Sequence, residues 1–350
     1  MSARLVIASV ATDSPMGAQV YQEEVAQRAG AALRAEGSGL QVERAIVRSL
    51  RSPLEGTLRL PMGWLAHASA RERATVGRFV YGRRATVHRM NLELPPGAGP
   101  QVATLHDVVA WRFPDEASPV PAAAEELRKA DAVICVSQFS ANEATELLGL
   151  NNITVVHNGV NERFFDALPL EERGLRKFGV SGRFIMAGGG ASARKNLEGL
   201  ADAWRIVSAA APDVSLVLSG PPHANRTELF KDLPRVVMVG RVADAVVPRL
   251  MASASAVVVP SLYEGFGLPA AEAMAVGVPV VAARTSSLPE VVGDAGLLVE
   301  PTGVGLADGV MAVLASTADV GAMVARGTAR AASFSWARSA AGHARVWAAL

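Results

Sequence analysis

The sequence predicts an α/β fold built from two doubly wound domains, each with a parallel sheet. Nine short runs rich in β-branched residues recur along the 350 residues, and most are followed by a segment with helical spacing. Apolar strands that alternate with helices indicate parallel sheets covered by helices on both faces. The nine runs are RLVIASV, QVATLHD, AVICVS, ITVVHNG, RFIMAGGG, VSLVLSG, RVVMVG, SAVVVPS and VPVVAA.

Chain length and one turn signal predict where the domains divide. A chain of 350 residues exceeds what a single hydrophobic core usually serves. The Asn158-Gly159 turn and the less periodic segment after it separate two series of strands. We therefore predict an N-terminal domain of residues 1–165 and a C-terminal domain of residues 166–333. The last segment, 334–350, has an apolar helical stripe and either caps the second domain or crosses back to the first.

Composition narrows the class of protein and of partner. Half of the residues are hydrophobic and the formal net charge is +1, which suits a folded globular protein rather than a disordered chain or one that coats nucleic acid. The charge is uneven, because ten arginines and only four glutamates lie between Gln41 and Leu94. This basic region predicts either a solvated helical face or a surface that meets an anionic acceptor or a membrane.

Two features predict a cytoplasmic protein. The N-terminal run LVIASVA ends at Asp13 without a cleavage site after a longer apolar core, so we interpret it as a first strand rather than a signal peptide. No stretch approaches the roughly 18 apolar residues of a membrane-spanning helix, so any membrane contact would be peripheral, at the inner face. The single cysteine, Cys135, excludes an internal disulfide, and its apolar neighbours indicate a buried strand position.

One stretch, SLYEGFGLPAAEAMAVGVPVV at residues 261–281, has two glutamates in a segment otherwise almost free of charge. The preceding SAVVVPS reads as a strand, LYEGFGLP as the loop at its carboxyl end, and Pro269 and Gly277 bound a helix. In open α/β sheets ligands collect at this edge, where helix N-termini present free N–H groups. Glu264 lies in the loop and Glu272 lies one turn into the helix, so the two carboxylates belong to different elements of one predicted site.

The residues around the Gly-Phe-Gly turn predict a site for phosphate and hydroxyl groups. Gly265 and Gly267 let the backbone approach a ligand, and the amides of Phe266, Gly267 and Leu268 are placed to bind phosphate oxygens. Glu272 suits two hydrogen bonds from the hydroxyls of a ribose. The alternative is that Glu272 binds no ligand and lies here because the helix dipole stabilises a carboxylate in the first turn of a helix.

This stretch resembles the acidic motif, two glutamates with seven residues between them, of the retaining glycosyltransferases of family 4, which have the glycosyltransferase B fold and include mannosyl- and glucosyltransferases. Other segments follow in the family's order, and the resemblance covers nearly the whole chain, most strongly from residue 100 onward. These segments are VSQFSANE, VVHNGVN, ARKNLEGLADAW, SSLPEVVGDAGLLVEP and FSWARSA. The resemblance implies two Rossmann-like domains facing a cleft, with the acceptor on the first, the nucleotide sugar on the second, and a C-terminal helix, 334–350, that crosses back to the first.

Carried over onto matching positions, the resemblance implies a role for each site residue. Arg194 and Lys195, in SARKN, would meet the donor diphosphate and stabilise the charge that grows as the sugar–phosphate bond breaks. Glu272 would bind the donor ribose and Glu264 would hold hydroxyls of the transferred sugar. His106, which ends a first-domain strand, would contact the sugar near the reacting carbon.

The chain departs from the family's pattern in two loops. Gly17, in SPMGAQVYQEEV, matches the first loop beside the donor diphosphate, but it is one glycine where relatives often have two. Ser192 and Ala193 stand where relatives often have an acidic residue before the Arg-Lys pair. Neither change removes the predicted phosphate role of the basic pair.

The resemblance implies transfer of a hexose with retention at the anomeric carbon, from GDP-mannose or a UDP-hexose to a hydroxyl of a glycan, lipid-linked or small-molecule acceptor. The form of LHDVVAWRFP favours the mannosyltransferase branch. In the family, retention is drawn as attack by the acceptor hydroxyl on the face that the phosphate leaves, with that phosphate taking the proton. No Asp-x-Asp pair occurs in the chain, so we expect cations and helix dipoles, rather than a metal or another cofactor, to stabilise the leaving group.

Three other functions fit parts of the sequence. A nicotinamide-dependent oxidoreductase needs Gly-x-Gly-x-x-Gly after a strand, whereas MAGGGASARKN has three successive glycines and a basic pair. A glycoside hydrolase uses two carboxylates across a sugar groove, but these two lie in a nucleotide-type setting. A nucleotide-sugar-binding protein without transfer activity is the non-enzyme alternative. The joint presence of Glu264, Glu272, Arg194, Lys195 and His106 favours an enzyme.

Overall fold

The chain folds into two compact units. The computed structural model describes residues 3–10, 17–113, 115–116, 118–315 and 318–350. The first unit comprises residues 1–159 and 336–350, and the second comprises residues 160–335. The chain therefore divides after Gly159 and after Ser335, whereas the boundaries predicted from the sequence follow residues 165 and 333.

The first unit contains a seven-stranded parallel sheet with the strand order β3-β2-β1-β4-β5-β6-β7. Its strands are β1 (Arg4–Val10), β2 (Gln41–Ser49), β3 (Leu58–Leu60), β4 (Thr86–Arg89), β5 (Gln101–Leu105), β6 (Ala132–Cys135) and β7 (Ile153–Val155). Its helices are α1 (Gly17–Ala35), α2 (Met62–Leu65), α3 (Ala70–Tyr81), α4 (Val109–Arg112), α5 (Ala123–Lys129), α6 (Gln138–Leu148) and, from the C-terminus, α15 (Trp336–Ala348).

The second unit contains a six-stranded parallel sheet with the order β10-β9-β8-β11-β12-β13. Its strands are β8 (Arg183–Gly188), β9 (Val214–Ser219), β10 (Val236–Gly240), β11 (Ala256–Val259), β12 (Val280–Ala283) and β13 (Leu297–Val299). Its helices are α7 (Glu172–Arg176), α8 (Leu197–Ala210), α9 (Ala224–Phe230), α10 (Val247–Ala252), α11 (Leu268–Ala275), α12 (Leu288–Val292), α13 (Gly303–Leu314) and α14 (Ala318–Ser333), with short 3₁₀ turns at Glu162–Phe164 and Ala193–Lys195.

The doubly wound prediction is confirmed in both units, because all nine runs predicted as strands contain a strand. In the second unit the apolar faces of α8 and α13 close over the sheet, where Trp204, Leu306 and Val310 pack with Val258 and Val281. The predicted return of the C-terminal helix to the first unit is also confirmed, since α15 packs along α1. Burial of Cys135 at the end of β6 agrees with its predicted strand position and raises the pKa of its thiol to about 12.

Only part of the basic region forms a solvated helical face, which is one of the two alternatives that its charge predicts. Residues 41–49 and 58–60 form β2 and β3, and only part of the region, mainly α3, is helical. Two of its arginines are fully buried against one carboxylate: Arg73 Nε lies 2.6 Å from Glu126 Oε1, and Arg89 Nη1 lies 2.6 Å from Glu126 Oε2. The exposed positive charge is therefore smaller than the sequence count indicates.

Among the described helices, no single helix is both long enough and apolar enough to cross a membrane. Of these helices, only the bent pair of α13 and α14, taken together, reaches that length and composition.

Candidate functional site

The two glutamates of the acidic stretch follow β11 at the carboxyl edge of the second sheet. β11 ends at Val259, Glu264 lies in the loop after it, and Glu272 lies on α11. Gly267 caps α11 with φ +97°, in the left-handed region that favours glycine, and a Cβ there would lie 2.8 Å from a methyl carbon of Leu288. A side chain at this position would strain the backbone and would require Leu288 to move.

Glu264 is paired with the predicted basic residues. Its Oε1 lies 2.6 Å from Lys195 Nζ, and its Oε2 lies 3.6 Å from Arg194 Nη1. The Glu264 residue is only 7% exposed, so this pairing offsets the cost of keeping a carboxylate away from water. The structure thus brings together residues that lie 69 positions apart in the chain.

Three serines that the sequence analysis missed fix the position of Glu264. Ser261 donates from its hydroxyl to Glu264 Oε1 at 2.7 Å, and the backbone N–H of Glu264 donates to Ser286 Oγ at 3.0 Å. Ser287 donates to the Glu264 carbonyl at 2.9 Å. Ser286 itself holds φ +52°, a conformation that costs a non-glycine residue free energy and that is often retained at functional sites. Their only signal in the sequence is their position after strand ends.

Asn196 connects the basic turn to the ends of two strands. It holds φ +53° at the end of the 3₁₀ turn, and its side-chain oxygen accepts the N–H of Gly199 to cap α8. Its amide nitrogen donates to the carbonyls of Pro260 and Pro301, both at 2.9 Å. The Arg194-Lys195 pair is therefore held against the loop after β11 by the side-chain hydrogen bonds of its neighbour Asn196 as well as by charge.

A pocket lies beside this cluster and is lined in part by Lys195, Ser219, Ser261 and Arg226. Arg226, which the sequence analysis also missed, donates to the carbonyls of Gly189 and Gly190 and to that of Pro221. Burial lowers the pKa of its guanidinium. Because Arg226 donates to these backbone carbonyls, it clamps the glycine loop after β8.

Glu272 has a different environment from Glu264. Its carboxylate is partly buried and makes no hydrogen bond to any residue that the structure describes. Burial raises its pKa to about 8, with Arg163 acting in the opposite direction and Asp244 in the same one. A carboxyl group held in this way gains most from a ligand that donates hydrogen bonds to it.

This raised pKa predicts how stability depends on pH. The unfolded carboxyl ionises near 4.5, whereas the folded one stays protonated up to about 8, so the protein loses stability, relative to Glu272→Gln, as the pH rises between these values. We expect Glu272→Gln to have the higher melting temperature at pH 8, by about 2–4 °C for each kcal/mol of difference in the free energy of unfolding. At pH 4.5 its melting temperature should be nearly that of the parent. Melting curves of both across this range test it, with the exposed Glu198→Gln as control. A constant difference between variant and parent would contradict it.

The N-terminus of α11 presents donors at the same edge. The backbone N–H groups of Gly267 and Leu268 make no hydrogen bond to the described part of the chain. Gly265 and Phe266 are buried, and the Phe266 ring packs edge to face on Phe334 with centroids 5.3 Å apart. The Phe266 side chain therefore supports the loop, and any contribution of this residue to a ligand comes from its backbone.

His106 belongs to the first unit, immediately after β5. Its carbonyl accepts a hydrogen bond from Ser140 Oγ at 3.0 Å, and its ring lies edge to face on Tyr21 with centroids 4.7 Å apart. Within the described residues its buried Nε2 has no hydrogen-bond partner. Burial lowers the pKa of His106 to about 4, so the imidazole is neutral at pH 7. Asp107 accepts the N–H of Val109 at 3.1 Å, at the start of α4.

Gly17 is the first residue of α1, also in the first unit, and the loop before it, residues 11–16, lies outside the described residues. The other predicted site residues belong to the second unit: Arg194, Lys195, Glu264, Gly265, Phe266, Gly267, Leu268 and Glu272. Across the described ranges, no three His, Cys, Asp or Glu side chains are grouped in a way that could hold a metal ion.

Models of known families match two parts of the chain. Residues 44–164 match the model described as Glycosyltransferase Family 4, and residues 181–316 match the model described as Glycosyl transferases group 1. The first match begins within the basic region, so the relationship extends beyond the segments whose motifs are clear in the sequence.

Curated relatives and solved structures agree with these matches. The chain is 33% identical over 271 residues to the O-antigen chain mannosyltransferase B of Escherichia coli, covering 71% of this chain and 70% of the relative. It is 29% identical over 216 residues to a GDP-mannose-dependent alpha-(1-6)-phosphatidylinositol dimannoside mannosyltransferase of Mycobacterium tuberculosis, covering 60% of this chain and 56% of the relative. Sucrose-phosphate synthase of Thermosynechococcus elongatus shares the fold, with a TM-score of 0.74 at 22% identity over 99% of this chain and 98% of that structure.

Proposed function

This chain belongs to glycosyltransferase family 4, and from that membership we propose that it transfers a mannosyl residue from GDP-mannose, with retention, to a hydroxyl group of a glycan or lipid-linked acceptor. The chain is a glycosyltransferase with two Rossmann-like units. Mannose as the sugar is supported by the names of the two relatives, and GDP by the name of the second. The observation that carries the site assignment is the contact of Glu264 with both Lys195 and Arg194.

The basic pair is proposed to bind the donor diphosphate. Lys195 lines the pocket, and its ammonium group donates to Glu264. A diphosphate that attracts Lys195 and Arg194 would share these cations with Glu264 and leave a carboxylate oxygen for a hydroxyl of the transferred sugar. The cations then stabilise the negative charge that develops on the phosphate as its bond to the sugar breaks.

The roles of Glu272 and of the α11 N-terminus follow from their local chemistry. Two ribose hydroxyls would donate to the carboxylate of Glu272, which favours its ionised form and offsets the burial that raises its pKa to about 8. The unpaired N–H groups of Gly267 and Leu268 suit phosphate oxygens. Together with the basic pair they would neutralise the leaving group without a metal, as expected for a chain that has no Asp-x-Asp pair.

His106 is proposed to contact the transferred sugar as a neutral hydrogen-bonding group. With a pKa of about 4 it carries no charge at pH 7 and cannot act as a cation towards the phosphate. In the proposed reaction the bond between C1 and the phosphate oxygen breaks, the bond from C1 to the acceptor oxygen forms on the same face, and the acceptor proton passes to the departing phosphate. No enzyme nucleophile is required by this route.

The first experiment is a thermal-shift and calorimetric titration with GDP, UDP, ADP and dTDP, each with and without EDTA. We expect GDP alone to raise the melting temperature, equally in both buffers, because a ligand at 100 times its Kd adds about 2.7 kcal/mol to the stability of the folded state. A selective response to UDP would replace GDP-mannose by a UDP-hexose as donor. A response that EDTA abolishes would contradict metal independence, and no response to any nucleotide would contradict the donor site.

The exposed part of the basic region is proposed to contact the anionic inner face of the cytoplasmic membrane. Phe79 is 83% exposed on α3, and Arg71, Arg78, Arg83 and Arg84 are exposed on or just after that helix. An exposed aromatic ring among cations suits an interface of anionic lipid, which attracts each basic residue by about 1 kcal/mol. A lipid-linked acceptor would reside at that surface.

This proposal predicts binding to vesicles that depends on lipid charge. We expect the protein to float with vesicles containing phosphatidylglycerol, not with pure phosphatidylcholine, and Arg78→Glu to weaken binding by about tenfold or more. The exposed Arg176→Glu, on α7 of the other unit, is the matched control. Equal flotation with both lipids, or equal loss in both variants, would argue against contact through α3.

A further inference from the structure

A chain of buried hydrogen bonds lies beside His106 in the first unit and shares no residue with the donor site. Its members come from α1, β4, β5 and α15, and all are at most 3% exposed. None of them belongs to the site predicted from the sequence. They are Tyr21, His88, Thr104, Ser339, His343 and Trp347.

The Ser339 end of this hydrogen-bond chain determines which atom accepts the hydrogen of the Tyr21 hydroxyl. His343 Nδ1 lies 2.7 Å from the carbonyl oxygen of Ser339, and a carbonyl can only accept, so Nδ1 carries the hydrogen. Burial lowers the pKa of His343 to about 4, so the ring is neutral at pH 7 and its Nε2 is an acceptor. Tyr21 Oη lies 2.5 Å from this Nε2, and therefore the phenol donates to it.

The Trp347 end of the hydrogen-bond chain determines which of the remaining atoms carry hydrogens. The indole Nε1–H of Trp347 can only donate, and it donates to His88 Nδ1 at 3.1 Å. Burial also keeps the pKa of His88 well below its ordinary value, so its neutral ring carries the hydrogen on Nε2 and donates to Thr104 Oγ1 at 2.9 Å. The hydroxyl of Thr104 in turn donates to Tyr21 Oη at 2.8 Å. The bonds all point in one direction, from Trp347 to Ser339.

This direction leaves the Tyr21 hydroxyl with its donor and one acceptor position both occupied, so the phenol is held from two sides. Hydrogen bonds in such a chain strengthen one another in a buried setting. The ring that they hold lies edge to face on His106, with centroids 4.7 Å apart and an interplanar angle of 82°. His106 Nε2 has no partner among the described residues, so packing, rather than a bond at that nitrogen, sets the orientation of the imidazole.

We propose that Tyr21 is a positioning residue for His106. The hydrogen-bond chain anchored on α15 fixes the Tyr21 ring, and that ring holds the His106 imidazole in the orientation that sugar transfer needs. This inference rests on the proposed function, because it takes His106 as the group that contacts the transferred sugar. It also gives the C-terminal helix a part in the reaction, through the acceptor nitrogen of His343.

The direct test is Tyr21→Phe, which removes one oxygen and keeps the ring. We expect kcat with the donor to fall by about tenfold, because a small misplacement of a contacting group is costly, while the KM for the donor stays within twofold. We also expect the ring signals of His106 to shift in spectra of histidine-labelled protein, which has only six histidines to assign. Assignment uses His106→Ala.

Tyr81→Phe is the matched control, because Tyr81 is equally buried in the same unit and its hydroxyl has no partner within the described residues. It should change neither kcat nor the His106 signals.

A second pair of variants tests His343 Nε2 as the acceptor for the Tyr21 hydroxyl. His343→Gln keeps an oxygen near the position of Nε2, whereas His343→Asn keeps only a group near the position of Nδ1. We expect the glutamine variant to retain the higher kcat.

The outcomes separate this inference from the proposed function. An unchanged His106 signal in Tyr21→Phe, or an unchanged kcat, overturns the positioning role, provided that His106→Ala is itself impaired. Equal loss of kcat in the two His343 variants overturns the role of its Nε2. If His106→Ala keeps the parent's kcat, the role of His106 in the proposed function fails. The positioning role of Tyr21 then fails too, even if Tyr21→Phe still shifts the ring signals of His106.

Discussion

Replacing Lys195 with methionine is expected to lower kcat by about 100- to 1000-fold, the range seen when one preorganised charge or donor is removed from a developing anion. Methionine keeps an unbranched apolar stem of similar length, so the main loss is the ammonium group that lies 2.6 Å from Glu264 Oε1. The charge matters most in the transition state, when the sugar–phosphate bond is breaking. The effect should therefore be larger on kcat than on the KM for the donor.

Steady-state kinetics with GDP-mannose checks this expectation, and Lys231→Met is its control. Lys231 is an exposed lysine of the same unit that pairs with Glu228 on the surface, so its replacement should leave kcat unchanged. If Lys195→Met retained more than about a tenth of the parent's kcat, the diphosphate role of Lys195 would have to be abandoned.

A second variant separates catalysis from stability. Among the described residues, Lys195→Met alone leaves the buried carboxylate of Glu264 with Arg194 at 3.6 Å and the Ser261 hydroxyl as side-chain partners, an arrangement that costs stability. Adding Glu264→Gln removes that charge, so the double variant should recover melting temperature while remaining inactive. Recovery of activity in the double variant would show that the loss in Lys195→Met came from the unpaired carboxylate instead of the missing cation.

The strands that could be predicted from the sequence are those whose burial on both faces leaves an apolar run, such as β8, β11 and β12. β2 was not predicted because QVERAIVRS alternates charged and apolar residues and so lacks a continuous apolar run. β4 was not predicted because TVHR is not an apolar run, although all four residues of Thr86–Arg89 are buried. In both strands, side-chain partners elsewhere in the fold make charged or polar residues compatible with a sheet.

Site residues could be predicted from the sequence where a motif is local, as in the loop and helix that carry Glu264 and Glu272. The contact between Glu264 and Lys195 could not, since it joins segments that meet only when β8 and β11 pair. The same holds for Ser286 and Arg226, whose roles depend on which carbonyl or amide the fold places beside them. Chemistry that depends on a tertiary contact of this kind has no signature in a single sequence.

Gly220→Ala is expected to damage the second unit more than any other single-methyl change near the pocket. Gly220 follows β9 with φ +134°, and a Cβ there would lie 2.1 Å from the carbonyl oxygen of Gly189, a backbone atom that cannot move aside alone. That carbonyl is also a hydrogen-bond acceptor for Arg226, which clamps the loop after β8. Combined overpacking and backbone strain should cost about 2–5 kcal/mol, and displacement of the loop should weaken nucleotide binding at least tenfold, because Gly188 and Gly190 line the pocket with Lys195.

Gly182→Ala separates the collision from the backbone strain. Gly182 also has a positive φ, +69°, but a Cβ there would meet nothing within 4 Å, so its replacement should cost only about 1–2 kcal/mol and leave nucleotide affinity unchanged. Calorimetric unfolding and nucleotide titration of the two variants give the comparison. Equal destabilisation of the two variants would mean that the positive φ alone accounts for the lost free energy of unfolding. The loops after β8 and β9 could then move apart without further loss of stability. A larger loss in Gly220→Ala, accompanied by weaker nucleotide binding, would show that the close contact of these two loops shapes the donor pocket.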